Sequence, residues 1–223
     1  ITIHHDLIQG SDEWLAARCG LLTASEVKLI LTPTLKKAAN DKSRAHAWEL
    51  AAQRITGYVE PAYISDDMLR GQEDEILARD LYSRNFAPVE EVGFVTNDGF
   101  GFTLGCSPDG FVGEDGLIEI KSRRQRFQVE TIVAGEMPAD YLLQVQTAML
   151  VTGRSWCDFI SYSGGMPMMT LRIHPDDKVR AAILEAAAAF EEAVSKIVEE
   201  FNGAVEWRRL IPTERRIQQE ITL

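Results

Sequence analysis

The chain has 223 residues, 45% of them apolar and 26% charged, and a formal charge of −11 at pH 7. That is sequence enough for one sizeable core, but it holds no run of about 20 apolar residues that would read as a membrane helix, and its start, ITIHHDLIQGSDEW, has no basic-then-apolar leader. The acidity argues against a nucleic-acid partner only until the charge is mapped: Lys28, Lys36, Lys37, Lys42 and Arg44 form one basic section and Lys121, Arg123, Arg124 and Arg126 another, while acid gathers in 65–80 and 185–200.

The first element is marked by Thr23-Ala24-Ser25-Glu26. It has the S/T-x-x-E form of a capping box, with Thr23 at the cap, and predicts a short helix ending before Pro33. A second helix is expected from Asp41 to a stop at Gly57. A third should start at Ser65 and run to about Phe86. The period then shortens. VEEVGFV, GFTLGC, DGFVG and LIEIK read as strands, separated by turns at Asn97-Asp98-Gly99 and Glu114-Asp115-Gly116. A helix from Pro138 to Gly153 follows, then strands WCDFISY and MMTLRI, then a long Ala-rich helix from Asp176 to about Phe201. The expected fold is α+β: one domain over residues 1–223 with a mixed, largely antiparallel sheet, antiparallel at its centre and flanked by helices. Residues 203–223 are set apart as a possible C-terminal appendage. Cys19, Cys106 and Cys157 are odd in number and not spaced as zinc ligands, which fits a reduced, cytoplasmic setting.

The segment 105–124, GCSPDGFVGEDGLIEIKSRR, carries the chemistry. On a strand, Leu117, Glu119 and Lys121 share one face and Ile118 and Ile120 the other. Folding that strand back along Asp109-Gly110-Phe111-Val112 brings Asp109 near Glu119. Two carboxylates beside an ammonium suit Mg²⁺, which takes oxygen ligands and shares phosphate oxygens with its substrate. The reaction would be phosphodiester hydrolysis, with a second ion able to hold the leaving oxygen and Lys121 orienting water or stabilising charge on the phosphate. Ser-Pro-Asp-Gly is also a good type I turn without chemistry, and alternation alone describes any half-wet strand. Their combination on one hairpin favours a site. Glu75 is a third carboxylate on a helical face with Met68, Gly71, Ala78 and Tyr82. A competing stripe of Leu69, Ile76, Leu77 and Leu81 leaves it level between a buried acid and a solvated edge.

Trp14-x-x-x-Arg18 with Thr23–Glu26, Gly71-x-Glu73-x-Glu75, Cys106–Gly110, Glu119-x-Lys121 and Gln144-Val145-Gln146, in that order, resemble the phage lambda-type exonucleases, or YqaJ-type viral recombinases, of the PD-(D/E)xK nuclease superfamily. The resemblance runs from Trp14 through the Gly153 region and implies an α/β/α, restriction-endonuclease-like fold. It implies that Asp109, Glu119 and the Ile120 carbonyl hold metal, that Lys121 is the catalytic lysine, and that Glu75 is the helix carboxylate beside the metal. Arg18 and Ser25 match positions that hold a terminal 5′-phosphate. Gln144 matches a glutamine near the scissile phosphate, with a hydrogen-bonded core glutamine as its rival.

For Arg18 a bidentate fork onto phosphate, and for Ser25 the first turn of the capped helix with its free N–H groups, give the phosphate reading physical support. After Lys121 the chain departs from the family's Cys-Pro pattern with Ser122-Arg123-Arg124-Gln125-Arg126. Arg126 stands nearest the position of a DNA-contacting arginine, and a solvated basic loop is the alternative. The resemblance further implies two Mg²⁺ ions per site, replaceable by Mn²⁺, and 5′-to-3′ digestion of double-stranded DNA ends to 5′-mononucleotides. It also implies a homotrimeric ring, a single-strand annealing partner and a phage or prophage origin. The competing readings are a nuclease of other polarity, an endonuclease, or a non-catalytic DNA-binding protein on a decayed nuclease fold.

Overall fold

Polar caps and glycine stops divide the chain where local physics demands. In the computed structural model, which describes residues 1–61 and 65–215, Asn40 caps a helix by accepting from Ser43 N (3.0 Å), Ser65 caps another by accepting from Met68 N (3.3 Å), and Asp176 caps a third by accepting from Lys178 N and Val179 N. Gly57 and Gly153 close helices in the left-handed conformation, at φ of 62° and 71°.

In chain order the elements are β1 (Thr2–His4), α1 (Asp12–Arg18), β2 (Leu22–Thr23), the single turn α2 (Val27–Ile30), α3 (Asp41–Thr56), α4 (Asp66–Asn85), β3 (Phe94–Asn97), β4 (Leu104–Cys106), β5 (Gly110–Val112), β6 (Gly116–Ser122), α5 (Gln125–Ala134), α6 (Leu142–Thr152), β7 (Trp156–Tyr162), β8 (Met169–Ile173) and α7 (Asp177–Trp207). The predicted helices and strands are all present, although the strand read as VEEVGFV starts only at Phe94 and takes in Asn97, a residue expected in the turn. Three short elements near the N-terminus, α1, β1 and β2, are additional, and so is α5, which begins within the arginine run, where no helix is expected from the sequence.

The strands form two four-stranded mixed sheets, β1-β3-β4-β2 and β5-β6-β7-β8. Most pairings are antiparallel, as expected. The centre of the second sheet is not: β6 and β7 run parallel from Gly116↔Trp156 to Ser122↔Tyr162. The reason is the crossover through α5 and α6, since a parallel return needs a long connection. The turn before β6 falls one residue earlier than expected, because Gly113 supplies the positive φ of 55° and Gly116 already pairs with Val112.

Strand β6 is covered on both faces. Leu117 packs with residues of α2, α3, α6 and α7 in the larger core; Ile118 and Ile120 pack with Ala78 and Tyr82 of α4 in the smaller. Two helical layers therefore sandwich the sheet. Arg54 ties the helices of the larger core together, donating to both Glu191 carboxylate oxygens on α7 and to the Gly20 carbonyl. Helix α7 runs unbroken through Gly203 to Trp207, six residues beyond the expected end near Phe201. Of the remaining tail, residues 216–223 lie outside the described residues.

The chain passes from the first sheet to the second between Cys106 and Gly110. A Cβ on Gly110 would fall 2.2 Å from Val89 Cγ1, so the glycine after Asp109 is a packing requirement. Asp109 thereby sits at the junction of the sheets.

Candidate active site

Gly110 pairs with Ile118, which puts Asp109 level with Glu119 just beyond the end of the ladder. There the Asp109 side chain replaces a strand: its Oδ2 accepts from the Ile120 N–H at 2.5 Å. On the neighbouring positions of β6, Lys121 Nζ lies 2.6 Å from Glu119 Oε1. Gln144, reaching from α6, donates to the same oxygen at 2.5 Å. Glu119 is almost wholly buried, a costly place for a carboxylate unless paired. The ammonium and the amide supply that pairing.

Helix α4 presents its Glu75–Ala78–Tyr82 face inward. Ala78 and Tyr82 are fully buried, whereas Ile76 and Leu77 are 63% and 52% exposed. The level choice between the two stripes is thus settled by packing: Ala78 lets the helix approach the sheet, and Tyr82 reaches Asp158 on β7 with a 2.6 Å hydrogen bond. Glu75 is carried to the wall of the candidate cavity.

One cavity of about 590 Å³ is lined by Arg18, Ser25, Glu75, Asp109, Glu119, Ile120, Lys121 and Gln144. Eight of the nine candidate residues are therefore brought together. Arg126 is not. It is exposed, stacks on Phe127 at 4.4 Å, and opens with Arg70, Arg123 and Arg124 onto a separate cleft. The arginine run is also more anchored than a solvated loop, for Arg123 donates to Tyr141 Oη at 2.7 Å and Arg124 to both oxygens of Asp67 at 2.9 Å.

The capping box is half realised. Glu26 does accept from the Thr23 N–H (3.1 Å), but the Thr23 hydroxyl bonds the Glu26 carboxylate at 2.7 Å instead of a helix N–H. Helix α2 begins only at Val27 and lasts one turn, so Ser25 precedes it and the helix-terminus argument for an anion at Ser25 does not hold. What the segment does instead is hold Arg18. Its Nη2 donates to Thr23 Oγ1 (3.3 Å) and Glu26 Oε1 (3.2 Å), and the guanidinium lies 4.5 Å from the Trp14 ring centroid. Trp14 in turn donates to Ser107 Oγ at 2.9 Å. The phosphate-binding candidate is thus wired to the turn that carries Asp109. Sequence reading missed this role of Trp14, Glu26 and Ser107; all three lie inside the motifs, but their partners are set by folding.

The electrostatics are those of crowded acids. Burial, then the Glu119 and Glu75 charges, push the Asp109 carboxyl well above the ordinary carboxylate range. Burial also raises Glu75; Arg79 opposes the rise and Glu119 adds to it. For Lys121 burial alone would lower the pKa, but Glu119 and Asp109 outweigh it and hold the ammonium above its usual value. Three carboxyl groups, those of Glu75, Asp109 and Glu119, thus crowd around the Lys121 ammonium in the cavity wall. Among the described residues no group of three His, Cys, Asp or Glu side chains forms a cage able to hold a metal alone. The oxygen donors nevertheless fit a hard cation of the Mg²⁺ kind, which needs one or two carboxylates and keeps its waters. A divalent charge would relieve the repulsion that raises Asp109 and Glu75.

Residues 13–155 match the family described as the YqaJ-like viral recombinase domain. The solved alkaline exonuclease LHK-Exo from Laribacter hongkongensis is 35% identical, with a TM-score of 0.78 over 88% of this chain and 98% of that one. The same enzyme in complex with dAMP gives 35% identity and a TM-score of 0.79 over the same shares. A phage-related exonuclease from Haemophilus somnus 129PT is 14% identical, with a TM-score of 0.60 over 81% of this chain and 96% of that one, a likeness of fold. Among curated proteins nothing matches.

Proposed function

The chain belongs to the YqaJ-like viral recombinase family, and from that premise we propose that it is a Mg²⁺-dependent exonuclease digesting the 5′-terminated strand of double-stranded DNA from its ends. The observation that carries the reading is the hydrogen-bonded set of Glu119, Lys121 and Gln144 beside Asp109 and Glu75, in one cavity with Arg18. The dAMP complex of LHK-Exo supports a site of nucleotide size.

Asp109, Glu119 and the Ile120 carbonyl would hold the metal, with Mn²⁺ able to substitute and a second ion accommodated beside Glu75. Mg²⁺ in such a site supplies charge neutralisation at the phosphate and a bound water of lowered pKa. The chain's own residues do the rest. Lys121 orients the attacking water or meets charge growing on the phosphate oxygens. Gln144 and Lys121 together fix the direction of Glu119, so the carboxylate need not reorganise during the reaction. The water oxygen bonds to phosphorus, the P–O3′ bond breaks, and a 5′-mononucleotide leaves; the shortened strand keeps a 5′-phosphate. Arg18, held edge-on by Glu26 and face-on by Trp14, turns its remaining donors to that terminal phosphate, with the Ser25 hydroxyl assisting. Arg126, in the cleft beyond, contacts the DNA backbone farther from the cut. A homotrimeric ring threaded by DNA, and an annealing protein that takes the 3′ overhang, complete the reading.

The test is a linear duplex labelled separately at its 5′ and 3′ ends. Loss of 5′ label as mononucleotide, requiring Mg²⁺ and a 5′-phosphate and strongly reduced in Arg18→Ala, is the expected result. Cuts within closed circles, or release of the 3′ label first, would overturn it.

A further inference from the structure

Arg79 lies behind the catalytic cavity, one helical turn after Glu75. Its guanidinium donates to the Asp109 carbonyl at 2.9 Å and to Glu75 Oε1 at 3.3 Å, and pairs with Glu91 at 3.3 Å. Three chain segments therefore meet on one planar group: helix α4, the turn between the sheets, and the loop before β3. The Arg79 side chain is only 15% exposed, against 76% for Glu91, so the functional weight falls on the two inner contacts. Arg79 lines a second cavity of about 430 Å³, which shares Glu75 with the catalytic one. Among the described residues it is the one hydrogen-bond donor to Glu75.

Resting on the hydrolytic reading, we propose that Arg79 is a positioning residue: it aims the Glu75 carboxylate into the catalytic cavity and fixes the main chain of Asp109, touching neither DNA nor metal. Asp109 is held at both ends, its side chain by the Ile120 N–H and its carbonyl by Arg79. Without the second hold, rotation of the turn after Pro108 would swing the carboxylate out of register with Glu119. Glu75, a mostly buried acid, would lose both its donor and its nearest countercharge. Lysine cannot replace this fork. It offers a point charge on a flexible stem, whereas the guanidinium reaches several oxygens in fixed directions.

The experiment compares wild type, Arg79→Ala and Arg79→Lys. Mn²⁺ binding without DNA is followed by loss of the free-ion EPR signal, and turnover is measured on a 5′-phosphorylated linear duplex. Arg79→Ala should bind Mn²⁺ about tenfold more weakly and lose roughly 10–100-fold in kcat. Its KM should stay within about twofold, because substrate binding is untouched. Guanidinium ion at millimolar concentration, well below denaturing levels, should restore part of the Arg79→Ala activity and none of the Asp109→Ala activity. Should Arg79→Ala not fold, Arg79→Lys carries the same test, with a loss of about tenfold expected in Mn²⁺ affinity and kcat. A folded variant that binds Mn²⁺ and turns over like wild type, or one altered only in melting temperature, overturns the proposal. If wild type releases no nucleotide, the hydrolytic reading falls, while the Mn²⁺ comparison still decides whether Arg79 positions the acids.

Discussion

At Asp109 the proposed catalytic role and stability pull apart. Its folded-state pKa lies above the ordinary carboxylate value because of burial and the neighbouring acids. A raised carboxyl stabilises the metal-free fold at pH below the ordinary value, and that stability drains away as pH climbs through the raised one. Asp109→Asn cannot ionise, so it should melt higher than wild type in EDTA at pH 8. At pH 4 the two should nearly coincide, and the variant should not cleave. A gap that is equal at both pH values, or reversed at pH 8, would contradict the assignment of strain to this carboxyl. Lys121 behaves oppositely, since its charge is what makes Glu119 tolerable. Lys121→Ala leaves Glu119 buried with only Gln144 for a partner, and should lose cleavage by at least about 10²-fold while destabilising the fold by about 3 kcal/mol. Paired melting and single-turnover assays on that variant would expose a lysine that serves only one of the two purposes.

The elements differ in how far the sequence discloses them. Strand β6 was legible throughout, because a period of two leaves a single way to place Glu119 and Lys121 on one face and Ile118 and Ile120 on the other. Helix α4 was legible as a helix but not in its orientation. Its leucine-rich stripe is the more hydrophobic, yet the buried face is that of Ala78 and Tyr82, chosen by Asp158, a partner 76 residues away. Helix α5 was missed because its pattern is inverted: Gln128 and Thr131 are buried while Val129 and Val133 are exposed. Gln128 repays its burial through bonds to the Ser161 carbonyl and hydroxyl and to the Pro167 carbonyl. The parallel β6–β7 pairing was likewise hidden, since it depends on a crossover and not on local pattern. Tyr82 is where α4 is locked to the sheet, and the lock can be weighed. Asp158 is also held by two bonds from Arg172, at 2.8 and 2.9 Å, so Tyr82→Phe leaves no acid unpaired. It should cost about 1 kcal/mol, seen as a lower melting temperature with cleavage intact. An unchanged melting point would mean that packing alone, and not the hydroxyl, sets the helix orientation.

For the whole molecule, a net charge of −11 must coexist with a polyanionic substrate, and segregation is what permits it. Arg18, Lys28 and Lys121 line the proposed catalytic cavity, and Arg70, Arg123, Arg124 and Arg126 a separate cleft. Exposed acids such as Glu185, Glu192, Glu199 and Glu200 lie along the outer side of α7, which is pinned to α3 on the far side of the sheet from α4. On the proposed function such a molecule would repel DNA at long range yet hold phosphates at contact, where screening matters least. Its affinity for duplex ends should therefore still fall as salt rises, because each phosphate it neutralises releases counterions and contributes about −0.9 to the slope of log K against log salt. Measured in EDTA to prevent cleavage, the slope should correspond to about three or more phosphates and become shallower by about one in Arg18→Ala and again in Arg126→Ala. A slope near zero would mean that the acidic exterior cancels the basic clefts, and one unchanged by both substitutions would place the DNA elsewhere on the protein.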